Sequence, residues 1–221
     1  MEQLEALLGE LSEHQARLVA VSKTKPNSAI QELYDKGQRI FGENRVQEMA
    51  AKQDALPKDI EWHMIGRLQS NKVKYIAPFV DLIHSVDSLR LLEEINKRAL
   101  SHDRCIDCLL QFYIATEDSK QGFSYDEVEQ FLPSEAFGNL KNIRICGVMG
   151  MASFSDDREL VQSEFVALKS IFDRLKTSYF QKEEHFKEIS MGMSGDYQIA
   201  LKSGSTLVRI GSLLFGSRNY T

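Results

Sequence analysis

Two lysines close the run Leu18-Val19-Ala20-Val21-Ser22-Lys23-Thr24-Lys25-Pro26. Its four apolar residues read as a strand. Alternation along that strand puts Lys23 on the face shared by Val19 and Val21, with Ser22 and Thr24 on the other. If the valines fill an interior, the Lys23 amine enters the mouth of a cavity, where desolvation disfavours its charged form. A neutral amine adds to a carbonyl to form an imine. The competing reading is a strand-end lysine that snorkels to water. Lys25, next to Pro26, reads as solvated exit loop.

Arg209 lies inside the apolar run "TLVRIGSLLFG". A guanidinium there needs either a structural carboxylate or an acceptor on a bound ligand. Two residues on, Gly211 lets a ligand approach the backbone, and Ser212 adds a hydroxyl. With Ser194-Gly195 ahead of a short helix, these donors suit a phosphate, although turns and caps use the same residues. His63, in "EWHMIG", is either a pocket group or a satisfied core histidine, and Asn44 either a ligand contact or a turn residue. The sequence carries no H-E-x-x-H, P-loop, G-x-S-x-G or G-x-G-x-x-G. A lysine for an imine, a buried arginine and a phosphate cradle together describe a pyridoxal phosphate site, and the set predicts no metal.

The elements that must position these groups alternate along all 221 residues. Candidate strands cover 17–23, 39–44, 61–66, 82–87, 104–114, 144–152, 185–192 and 206–216, rich in Val, Ile, Leu and Phe without clean polar alternation. Helical patterns lie between them, such as "NSAIQELYDKG", with Asn27 as expected N-cap and Gly37 as stop. Pro133 is expected to break another. The pattern predicts one α/β domain over 1–221, a (β/α)8 TIM barrel with an extra N-terminal helix from Glu2 to about Glu13. An open doubly wound sheet is the competitor.

Composition narrows the setting. With 43% hydrophobic and 27% charged residues the chain reads as an ordinary globular protein, and a formal charge of −5 offers nucleic acid or anionic membrane no global attraction. No apolar stretch spans a bilayer and the N-terminus is not a signal peptide, so the expected location is cytoplasmic. Of the three cysteines, Cys105 and Cys108 match C-x-x-C on a strand, where odd spacing turns them to opposite faces. They are read as buried strand cysteines.

The motifs "AVSKTKP", "FGENRVQE", "EWHMIGRLQSNK", "EDSKQG", "GVMGMA", "SMGMSGD" and "GSTLVRIGSLLFG", in this order over nearly the whole chain, resemble the YggS/PROSC family of pyridoxal phosphate homeostasis proteins. The resemblance implies a single barrel similar to the alanine racemase N-terminal domain. It implies that Lys23 carries the Schiff base, that Arg209 faces the pyridine nitrogen, and that Ser194, Gly211 and Ser212 hold the phosphate. Asn44, His63 and Met191 would line the pocket.

Racemases of this fold add a mainly β domain that supplies a catalytic tyrosine, whereas this chain stops at "SRNYT" just past the eighth strand. With Lys23 as its evident base, inversion lacks a second proton-transfer group. The expectation is therefore a non-enzyme. It would be a monomer that buffers pyridoxal phosphate or delivers it to pyridoxal-phosphate-dependent apo-enzymes. The alternative is a slow racemase or lyase; a barrel enzyme without the cofactor fits the lysine motif poorly.

Overall fold

The computed structural model describes residues 2–115 and 121–216. Its strands are β1 (Arg17–Val21), β2 (Ile40–Glu43), β3 (Glu61–Met64), β4 (Leu82–Val86), β5 (Ile106–Tyr113), β6 (Ile143–Met151), β7 (Glu188–Met193) and β8 (Leu207–Ile210). Each pairs in parallel with the next, and β8 pairs back to β1, closing the (β/α)8 barrel. The helices are α1 (Glu2–Glu13), α2 (Asn27–Asp35), α3 (Val46–Ala55), α4 (Leu89–Leu100), α5 (Tyr125–Phe131), α6 (Glu135–Gly138), α7 (Arg158–Ser178), α8 (Tyr197–Lys202) and α9 (Ser212–Phe215). A 3-10 helix, Ser70–Tyr75, fills the third crossover. Among the described residues, no helix is long and apolar enough to cross a membrane.

Several boundaries differ from the sequence reading for local reasons. The eighth strand stops at Ile210, because Gly211 leaves the extended path and Leu213 to Phe215 coil into α9. Pro26, not Asn27, occupies the N-cap of α2, since its ring holds φ at −70° and Asn27 already starts the helix. The break at Pro133 falls between α5 and α6 as expected.

Strand alternation sorts the core into two sets. Outward residues such as Phe41, Trp62, Met64, Ile189, Met191 and Val208 join the large cluster under the helices. A smaller inner set, Val19, Leu82, Leu109, Cys146, Met149 and Leu207, fills the barrel. The inner column also holds His63, His84, Ser190 and Arg209, all buried. Of the two cysteines expected to be buried on a strand, Cys108 is, but Cys105 is exposed because it lies just ahead of β5.

One seam of the barrel depends on a glycine. The β5–β6 register slips between Cys108 and Leu109, a bulge that places Cys146 ahead of Gly147. Gly147 has φ +152°, and a Cβ there would sit 1.8 Å from the Glu188 carbonyl oxygen, across the β6–β7 ladder. Glu188 in turn accepts from Arg17 at 2.8 Å and from the Thr206 hydroxyl at 2.7 Å. Gly147→Ala is therefore expected to destabilise the barrel by more than about 4 kcal/mol, measured by urea unfolding. A loss below about 1 kcal/mol would show that the seam can give way.

Candidate functional site

The C-terminal ends of the strands surround a cavity of about 600 Å³, within the usual size for a small-molecule pocket. Lys23 reaches it from the turn after β1, beside the inward Val21, as alternation along that strand predicts. Asn44 enters after β2, Ile65 after β3, and residues 151–156 from the end of β6 onward. Ser194, Gly195 and Asp196 follow β7, Arg209 lies on β8, and Gly211 and Ser212 begin α9.

Arg209 is 5% exposed and makes no carboxylate ion pair among the described residues. Its Nη1 donates to Ser190 Oγ at 2.6 Å and its Nη2 to the Gly150 carbonyl at 3.1 Å. Burial lowers its pKa to about 10, partly opposed by the Asp196 charge, which leaves it cationic at neutral pH. Asp196 accepts the Met193 N–H at 2.5 Å, and burial raises its own pKa. A charged guanidinium held by a hydroxyl and a carbonyl keeps electrostatic capacity for a ligand.

A hydrogen-bond chain runs down the barrel from Arg209. The guanidinium can only donate, so Ser190 Oγ accepts from it, and the same hydroxyl is bonded to His84 Nδ1, 2.8 Å away. His84 Nε2 is bonded in turn to His63 Nδ1 at 3.0 Å, one of the two nitrogens carrying the proton between them. Burial holds His63 down to about 3 and His84 well below its usual value, so both are neutral near pH 7. The chain keeps Arg209 aimed without placing a second charge beside it.

The phosphate-type donors form one lip. Ser194 Oγ accepts the Gly211 N–H at 3.3 Å, tying the loop after β7 to the start of α9. A Cβ on Gly211 would meet the Val21 carbonyl at 3.1 Å, so the bare backbone lets this turn close against β1. Lys25 also lines the cavity and is not simply solvated: its Nζ donates to the Phe215 carbonyl at 2.9 Å and so clamps the end of α9.

Six of the eight sequence-selected residues therefore meet at this cavity: Lys23, Asn44, Ser194, Arg209, Gly211 and Ser212. His63 does not. It points inward but one step too deep, Ile65 takes the lining position, and the ring borders a separate cavity at the opposite barrel end. Met191 does not either, because it lies one residue out of phase with the inward Ser190 and packs under the helices. Ser190 and His84 were the omissions, and alternation from Arg209 and His63 across neighbouring strands could have found them. Glu117 to Lys120 of "EDSKQG" lie outside the described residues.

A family model described as alanine racemase, N-terminal domain, matches residues 2–219. A pyridoxal phosphate homeostasis protein of Aquifex aeolicus is 40% identical over 94% of this chain and 90% of its own length. The chain belongs to the pyridoxal phosphate homeostasis protein family. The solved structure of PipY of Synechococcus elongatus PCC7942, without PLP, superposes with a TM-score of 0.90 at 36% identity, covering 97% of this chain and 99% of that one. The same protein with PLP bound superposes at a TM-score of 0.86, again at 36% identity over 97% of this chain and 99% of that one. The similarity extends across the whole barrel.

Proposed function

We propose that this chain binds pyridoxal phosphate reversibly, holds it through Lys23 and limits its free concentration, in the role for which its relatives are named. The observation that carries the reading is one cavity containing a lysine, an arginine without a carboxylate partner among the described residues, and a hydroxyl-and-backbone lip. The residues fit the cofactor. Lys23 supplies the amine, Arg209 faces the ring nitrogen, Ser194, Gly211 and Ser212 hold the phosphate, and Asn44 closes a side. Joining amine to aldehyde forms one C=N bond and releases water, so capture reverses by hydrolysis.

When bound, the cofactor supplies an electron sink, strong only if its ring nitrogen is protonated. Arg209, cationic and donating to the Ser190 hydroxyl and the Gly150 carbonyl behind it, offers that nitrogen a hydrogen bond and no proton to spare. The titratable groups around Lys23, among the described lining residues, are Lys25, Asp156, Asp196 and Arg209. Lys25, Asp196 and Arg209 are already committed to Phe215, Met193 and Ser190. This favours storage over turnover, with release to pyridoxal-phosphate-dependent apo-enzymes of the cytoplasm.

The test is to incubate the loaded protein with each common amino acid in deuterated water and follow the α-proton by NMR. Storage predicts a spectral change without exchange. Rapid exchange with any amino acid would overturn it in favour of a racemase or lyase.

A further inference from the structure

The turn that carries Lys23 is strained. Thr24, the next residue, has φ +65°, a conformation that a β-branched side chain strongly disfavours. Something must hold the backbone there, and the structure provides it on the outer face of the barrel. The Thr24 N–H donates to Glu48 Oε1 at 2.6 Å, across from β1 to α3. Glu48 is held in turn by Lys52, one helical turn on, whose Nζ donates to the same oxygen at 2.6 Å.

Lys52 is itself buried, 5% exposed, and spends its other two protons on this corner. One goes to the Ser22 carbonyl at 2.8 Å and one to Glu43 Oε1 at 2.7 Å. Ser22 Oγ donates to that same Glu43 oxygen at 2.6 Å. The residues on both sides of Lys23 are thus gripped by one buried lysine and two carboxylates. Glu43 Oε2 is buried without a hydrogen-bond partner among the described residues, and desolvation raises the carboxyl's pKa despite Lys52. An arrangement this poorly satisfied is weak as a stability device. Its geometry makes sense as a jig for the two backbone units that flank Lys23.

We infer that the Lys52–Glu48–Glu43 cluster positions Lys23 for capture of an aldehyde ligand, by holding Thr24 in its strained conformation. The inference rests on the reading of Lys23 as the capturing amine. The three side chains do not line the cavity, so they act through the Ser22–Thr24 backbone and touch no ligand. They are positioning residues. Glycine at position 24 would adopt the same conformation without a clamp.

Glu48→Ala leaves Lys52 paired with Glu43 and the Ser22 carbonyl, so the barrel should fold. Covalent capture of pyridoxal phosphate, read by borohydride reduction and peptide mapping, should fall roughly tenfold. Binding of the 4-methyl analogue, which has the ring and phosphate but no aldehyde, should not change. Glu48→Gln keeps an oxygen for the Thr24 N–H and should retain capture. Thr24→Gly and the Thr24→Gly/Glu48→Ala double variant should capture equally well, because relief of strain removes the need for the clamp.

Normal capture by Glu48→Ala, equal loss of both ligands, or a double variant no better than Glu48→Ala would each overturn the inference. Failure of the unaltered protein to reduce at Lys23 would instead overturn the functional reading beneath it.

Discussion

Lys23→Ala protein mixed with pyridoxal phosphate should stay colourless, and borohydride should fix no label to any other lysine. The expectation follows from geometry at the mouth of the barrel. Lys25, two residues away, also borders the cavity, but its amine is committed to the Phe215 carbonyl at 2.9 Å. Lys52, the buried lysine nearby, directs its protons at Ser22, Glu43 and Glu48. Neither can replace the missing amine without breaking contacts that hold α9 or the β1 turn. Phosphate and ring contacts should survive, so weak binding persists while apparent affinity drops by roughly a hundredfold or more, about 3 kcal/mol. A label of normal stoichiometry on Lys25 would sink the assignment of Lys23.

Acid should unfold the protein through the histidine pair at the barrel's centre. His63 is held at about 3 and His84 well below its usual value, both mainly by burial. Neighbouring positive charge adds to this: Arg17 for His63, and His63, Arg209 and Arg17 for His84. In the unfolded chain both rings titrate near 6.5. Between about pH 6.5 and 3 the unfolded state therefore takes up protons that the folded state refuses, and stability falls as pH falls. Each ring contributes about 1.4 kcal/mol per pH unit once the pH is well below its unfolded value.

Urea unfolding at intervals from pH 7 to pH 4 reads this slope directly. His63→Gln keeps an amide that can bond to His84 Nε2 and removes one titrating ring, so its slope should be smaller by about one proton. Equal slopes for the two proteins would show that His63 is protonated in the folded state.

Much of the barrel was legible because strands covered on both faces leave continuous apolar runs, and those runs sat at the right places. The errors have local causes. The run "LVRIGSLLFG" looks like one strand, yet Gly211 divides it and its second half is α9. Hydrophobicity alone cannot separate a short strand from a short buried helix. In the site, alternation placed Lys23 and Arg209 correctly, since each shares a face with inward apolar neighbours. Met191 was taken from its motif and not from alternation, which assigns the inward position to Ser190.

His63 marks the boundary of what one dimension can say. Alternation gives the face of a strand a residue occupies, and for His63 the inward face is right. It does not give depth along the barrel axis, which depends on how eight strands stagger when the sheet closes. Ser190, His84 and His63 lie 106 and 21 residues apart in sequence, and only closure stacks them beneath Arg209. The same holds for Thr24 and Glu48, where a strained turn meets its clamp only once α3 packs against β1. By itself the sequence determined the alternation of strands and helices, the inward faces and the chemical character of the pocket. The tertiary structure decided depth and partnership, because strand stagger and helix packing bring together side chains that no local pattern connects.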